Sequence, residues 1–127
     1  MDVSSQGSDI TGIVIGAAIE VHRTVGPGLL ESAYEECLCR ELELRNVLFE
    51  RQKVLPFEYK GIQMDCGYRM DLVVRDTLVV ELKAVDVLAP IHEAQLLTYL
   101  RLSGIKTGLL INFNVPILKD GIRRLVL

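Results

Sequence analysis

The run Leu78-Val79-Val80-Glu81-Leu82-Lys83-Ala84-Val85 constrains this chain more than any other segment. Apart from Glu81 and Lys83 it is apolar, which predicts a strand buried on both faces. Residues two apart on a strand project to the same face, so Glu81 and Lys83 share one. Charges in such a place are costly unless they are paired or hold a metal. The preceding residues, from about Tyr68 to Val74, read as a second strand. Arg75-Asp76-Thr77 is the tight link between the two, so an antiparallel hairpin is expected.

Other segments supply the layers around this hairpin. Ile10, Ile13, Val14, Ala17, Ala18 and Val21 recur at helical spacing, predicting a helix from about Ser8 to Arg23, with Ser8 or Asp9 as its cap. Gly12 and Gly16, four apart, would allow a close neighbour. Gly26-Pro27-Gly28 breaks the chain. A second helix is expected from about Leu29 to Arg45, with a mostly apolar stripe of Leu30, Ala33, Tyr34, Cys37, Leu38, Glu41 and Leu44. Its other side, rich in Glu and Arg, reads as solvated, and Asn46 is a reasonable stop. Leu48 to Leu55 and Phe57 to Tyr59 read as strand with a bend at Pro56, and Lys60-Gly61 as a turn. A third helix is expected from about Ile91 to Ser103, ending at Gly104. Thr107 to Phe113 reads as a buried strand, and Gly121 to Leu127 as a further one. The order predicts a single α/β domain of α+β type, a central mixed sheet flanked by helices. Residues 1–7 are expected to form a flexible N-terminus.

Composition narrows the function classes. The chain has 127 residues, enough for one domain with a core. Half of it is hydrophobic, which excludes disorder. The longest apolar candidate, Ile10 to Ile19, is too short to span a membrane, and no secretory signal is evident at Met1-Asp2-Val3. A cytoplasmic location is expected. The net charge of −3 argues against a strongly basic nucleic-acid-binding surface, though not against a local patch. Cys37, Cys39 and Cys66 lack zinc-site spacing and read as reduced, mostly buried thiols. A flavin or iron–sulfur protein has little support, since the Gly-rich loop and cluster spacings are missing.

The hairpin carries the candidate chemistry. With a loop of Arg75-Asp76-Thr77, Val74 pairs with Leu78 and Asp71 falls opposite Glu81, on the face that Glu81 shares with Lys83. Facing carboxylates repel unless a cation sits between them. Mg²⁺ prefers oxygen ligands and often uses one or two carboxylates plus water. Lys83 beside them would hold or help deprotonate an attacking water, which suits metal-assisted phosphodiester hydrolysis. The plainer reading is that Lys83 pairs with Asp71 or Glu81 and stabilises the sheet, and a two-residue loop would instead shift the register and move Asp71 off the face. Gln95 and Tyr99, four apart on the third helix, would orient a phosphate or a metal-bound water; alternatively Tyr99 is core and Gln95 caps it. Glu31 sits in the first turn of its helix, where the dipole favours a carboxylate, and Tyr34 shares its face.

These residues match a known pattern. Gly28-x-x-Glu31-x-x-Tyr34 resembles the signature of the GxxExxY protein family, which is placed in the PD-(D/E)XK nuclease superfamily. Asp71 followed by Glu81-x-Lys83 resembles that superfamily's catalytic core. Gln95-x-x-x-Tyr99 resembles the glutamine–tyrosine motif of its RecB-like branch. Met70 stands where the superfamily's name has proline. The resemblance covers the chain from about Ile10 onward and implies a restriction-endonuclease-like domain over residues 1–127. It implies Asp71 and Glu81 as ligands of Mg²⁺, with Mn²⁺ as substitute, the Leu82 backbone carbonyl as a further ligand, and Glu31 as an added acidic residue. It implies Lys83 as the group that positions water, and Gln95, Tyr99 and Tyr34 as supporting residues. The function implied is a metal-dependent nuclease acting on nucleic acid, DNA ahead of RNA. The alternative is a non-catalytic nucleic-acid- or protein-binding module that retains the fold. A homo-oligomer or protein partner is expected from the short chain and its apolar first helix.

Overall fold

The computed structural model describes residues 3–127, with side chains described from Ile10 onward. Three helices and a mixed sheet form three layers. Helix α1 spans Val3–Val25 and α2 spans Glu31–Leu44. Strands β1 (Phe49–Val54), β2 (Phe57–Tyr59), β3 (Ile62–Met64), β4 (Arg69–Val74) and β5 (Leu78–Lys83) follow. Helix α3 (Pro90–Ser103), β6 (Thr107–Asn112), a 3₁₀ turn (Leu118–Gly121) and β7 (Ile122–Val126) complete the chain. The expected flexible stretch 1–7 falls in part outside the described residues. Helix α1 begins at Val3 and not Ser8, so Ser8 and Asp9 lie within it and do not cap it.

The main sheet has five strands in the order β1-β4-β5-β6-β7. β5 and β6 run parallel and the other neighbours antiparallel, so the sheet is mixed as expected. Helices α1 and α2 cover one face, burying Val14, Ala17, Tyr34, Leu38 and Leu42 against Leu72, Leu78, Val80, Leu109 and Ile111. Helix α3 covers the other, packing Leu96, Tyr99 and Leu100 on Val73, Val79 and Leu110. That double cover explains the near-continuous apolar texture of β5. Gly108 allows α3 to approach closely, since a Cβ there would lie 2.9 Å from the Leu96 side chain.

Several local expectations are corrected. The buried stripe of α2 is Tyr34, Glu35, Leu38, Cys39 and Leu42, whereas Leu30 and Leu44 are exposed. Glu35, expected on the solvated side, is only 8% exposed, because strand β1 runs alongside it. β3 pairs with β2 in a small hairpin that sequence patterning does not reveal. Of the thiols, Cys39 is buried, Cys37 is intermediate and Cys66 is exposed. A Cβ at Gly16 would lie 3.4 Å from the Arg45 guanidinium, whereas a Cβ at Gly12 would meet nothing within 4 Å.

Candidate active site

The site forms where β4 and β5 part. Their pairing follows the expected register, Val74↔Leu78, Val73↔Val79 and Leu72↔Val80, and stops there. Arg75 and Asp76 make the link with φ values of 51° and 55°. Beyond Leu72, side chains replace the ladder. The Asp71 N–H donates to Glu81 Oε2 at 2.7 Å, and the Leu82 N–H donates to Asp71 Oδ2 at 2.9 Å. Each carboxylate is thus oriented by backbone of the opposing strand. Lys83 C=O accepts from Phe113 on the β6 side, so in alternating backbone the Leu82 carbonyl faces β4 and the carboxylates.

Burial sets the electrostatics. Glu81 is 5% exposed, and burial, with the charge of Asp71 second, pushes its carboxyl up to about 8. Burial also raises Asp71, opposed by the Leu82 N–H bond and reinforced by Glu35. Burial raises Glu31, with Lys83 acting against it and Asp71 adding to it. The charge of Lys83 lowers all three carboxyls, so it stands near them. Among the described residues, however, the Lys83 ammonium has no ion pair or hydrogen bond. The plainer reading, a sheet-stabilising pair with Asp71 or Glu81, is therefore not what the structure contains.

The donor set fits a hard cation. Asp71 Oδ2 and Glu81 Oε2 are taken by backbone N–H groups. Among the described residues Glu81 Oε1 has no hydrogen-bond partner, and Asp71 Oδ1 accepts only from Gln52, at 3.3 Å. No buried polar side-chain atom among the described residues lacks a partner, so Glu81 Oε1 must be open to solvent. No group of three or more His, Cys, Asp or Glu side chains among them converges closely enough to make a protein-only cage. Two carboxylates completed by main chain and water suit Mg²⁺ better than zinc.

The loop before α2 delivers Glu31. Gly28 has φ of 99°, a conformation that a side chain would strain. Tyr34 is fully buried and stacks on Phe113 with ring centroids 4.5 Å apart. Its hydroxyl donates to Gly26 O at 2.6 Å and accepts from the Leu29 N–H at 3.1 Å. Tyr34 therefore pins the loop and has no hydroxyl to offer a substrate. The spacing of Gly28, Glu31 and Tyr34 thus has a structural cause: turn, carboxylate and latch.

Helix α3 contributes Gln95 and Tyr99. Gln95 Nε2 donates to the Tyr99 hydroxyl at 3.0 Å, and Tyr99 is 6% exposed within the core. Burial, and after it the charges of Glu81 and Asp71, raise the Tyr99 hydroxyl, while the bond from Gln95 acts against them. Tyr99 also borders a groove of about 530 Å³ shared with Phe57, Tyr68, Ile91, His92 and Thr98. Tyr68 meets Tyr99 edge-on at 6.4 Å, and Phe57 is tilted against Tyr68 at 6.3 Å. Sequence reasoning missed this groove, whose walls come from separate elements.

It also missed a network behind Asp71. Gln52 Nε2 donates to Glu35 Oε1 at 2.7 Å and to Asp71 Oδ1 at 3.3 Å. Arg51 Nε donates to Glu35 Oε2 at 2.6 Å, and Arg51 Nη1 pairs with Glu36 at 3.0 Å. The only advance signal was a glutamine between charged residues on a strand, which is not distinctive.

The fold and the hairpin define a class of protein. The chain matches the model of the PD-(D/E)XK nuclease superfamily over residues 8–125, and it belongs to that superfamily. No curated protein and no solved structure matches the chain. Among the described residues no helix is long and apolar enough to cross a membrane.

Proposed function

We propose that this protein is a divalent-metal-dependent nuclease that hydrolyses phosphodiester bonds, in DNA ahead of RNA. One observation carries the reading. Asp71 and Glu81 face each other where two strands part, each held by the other strand's backbone, with Lys83, unpaired among the described residues, on the same strand face. Within the superfamily, the Gly28, Glu31 and Tyr34 spacing supports a place in the GxxExxY family, and Gln95 with Tyr99 supports the RecB-like branch.

Asp71, Glu81 and the Leu82 carbonyl would hold Mg²⁺ or Mn²⁺, with Glu31 adding negative charge nearby without converging on the same ion. A divalent ion bound there would supply the Lewis acidity that polarises a phosphodiester and acidifies an attacking water. Lys83, whose ammonium has no partner among the described residues, orients that water and offsets charge developing on the phosphate. Gln95 and the Tyr99 hydroxyl hold the substrate from the α3 side. The groove beside Tyr99 receives the adjoining nucleotide on its aromatic walls.

A cleavage assay with Mg²⁺ or Mn²⁺ over single-stranded, duplex and branched DNA, and over RNA, tests this. Cleavage is expected, and it should vanish in Glu81→Ala and Lys83→Ala. Activity that survives in both variants would mark a contaminant. Saturable nucleic-acid binding without cleavage, unchanged by Asp71→Ala and Glu81→Ala, would instead mark a binding module that keeps the fold.

A further inference from the structure

Gln52 lies opposite Asp71 in the β1–β4 register, between the pairs Arg51↔Leu72 and Lys53↔Met70. It takes no part in the pairing, because its φ is 52°. A non-glycine residue costs free energy in the left-handed region, and such residues gather where function over-determines the backbone. Three consequences of the kink are visible. The Gln52 carbonyl leaves the ladder and accepts from the Arg69 side chain at 3.5 Å. The Asp71 N–H, with no partner on β1, donates instead to Glu81 Oε2. The β4 strand also twists there. Leu72 packs on the α1–α2 side and Met70 on the α3 side, although strict alternation would place both on one face.

The Gln52 side chain acts on the same carboxylate. Its amide bridges Glu35 and Asp71, and Glu35 is itself fixed by Arg51. Glu35 lies one helical turn after Glu31, so the chain of contacts ties α2, β1 and β4 together behind the site.

We propose that Gln52 is a positioning residue for the carboxylate pair. Its strained backbone frees the Asp71 N–H to orient Glu81, and its amide, anchored by Glu35 and Arg51, orients Asp71. This goes beyond the superfamily pattern, since none of the three residues belongs to the D…ExK motif. The metal-binding consequence rests on the nuclease reading above; the orientation of the carboxylates does not.

Gln52→Gly and Gln52→Asn separate positioning from folding. Glycine accepts φ of 52° without strain, and asparagine tolerates it while falling short of Asp71. Relief of strain and loss of the donor to buried Glu35 act in opposite directions, so both variants should still unfold cooperatively with urea midpoints close to the parent's. Mn²⁺ affinity, read by electron paramagnetic resonance, should nevertheless fall about tenfold or more, as when outer-shell partners of a metal ligand are removed. Amide hydrogen exchange reports the carboxylate orientation without any metal. In Gln52→Asn the Leu82 amide should lose protection, because Asp71 is no longer held against it. Unchanged exchange at Leu82 together with parental Mn²⁺ affinity would overturn the proposal. A parent protein that binds no Mn²⁺, but whose Leu82 protection drops in Gln52→Asn, would overturn the metal reading and leave the positioning role standing.

Discussion

Glu81 accepts a hydrogen bond from the Asp71 N–H at 2.7 Å, and the Asp71 carboxylate in turn accepts one from Leu82, the residue after Glu81. This crossed exchange closes the gap where the strands part. It satisfies one oxygen of each carboxylate and holds buried Glu81 and half-buried Asp71 in a mutually repelling position.

A pH dependence follows for the metal-free protein. Burial and Asp71 raise Glu81 from its ordinary 4.5 to about 8, and Asp71 is raised as well. The folded state then binds protons more tightly than the unfolded chain. The contribution of Glu81 to stability is full below about pH 4.5 and is lost as pH rises through about 8. Urea midpoints measured from pH 5 to 9 without metal should fall with rising pH. Mn²⁺ affinity should rise over the same range, because binding displaces the proton. A flat urea profile would show that Glu81 titrates normally.

Glu81→Gln should split stability from function. The amide oxygen keeps the bond from the Asp71 N–H, and the buried charge disappears. Stability near pH 9 should increase by several kcal/mol, since each pKa unit of perturbation is worth about 1.4 kcal/mol and Glu81 is raised from 4.5 to about 8. Metal binding and cleavage should both be lost. Denaturation and Mn²⁺ titration on one sample check the pair of outcomes.

Tyr34→Phe tests the latch beneath Glu31. Losing the hydroxyl leaves Gly26 O and the part-buried Leu29 N–H without their partner. Destabilisation of about 1–3 kcal/mol is expected. The loop should then be cut faster by a protease under native conditions, with cleavage mapped to residues near 26–30. Unchanged urea stability would show that the latch contributes nothing.

The aromatic groove predicts a binding effect separate from the metal. Tyr68 is 46% exposed, so Tyr68→Ala removes stacking surface at small cost to the core. Oligonucleotide affinity should weaken about fivefold or more, given about 1–3 kcal/mol per stacked base. Mn²⁺ affinity should remain at the parental value. Equal oligonucleotide binding by variant and parent would remove the groove from the substrate path.

The hairpin is the part of the site most legible in the sequence. Apolar strands and a short polar link determine a register, and register determines which residues face one another. Asp71, Glu81 and Lys83 were therefore placed together from spacing alone. The ends of α2 and α3 were legible too, because Asn46 and Gly104 stop helices by adopting positive φ. Periodicity works where each residue's neighbours are its own strand or helix partners.

What only the tertiary structure decided lies where elements from distant parts of the chain meet. Glu35 has a solvent-facing pattern on α2, yet it is buried because Arg51 and Gln52 arrive from β1 to satisfy it. The groove needs the β2–β3 hairpin, Tyr68 and α3 at once. The kink at Gln52 runs against its local preference, and its side chain bonds there to Glu35 of α2 and Asp71 of β4. Local preferences differ by only about 1 kcal/mol per residue. A few cross-element hydrogen bonds to buried charge can outweigh them, and such bonds exist only once the chain has folded.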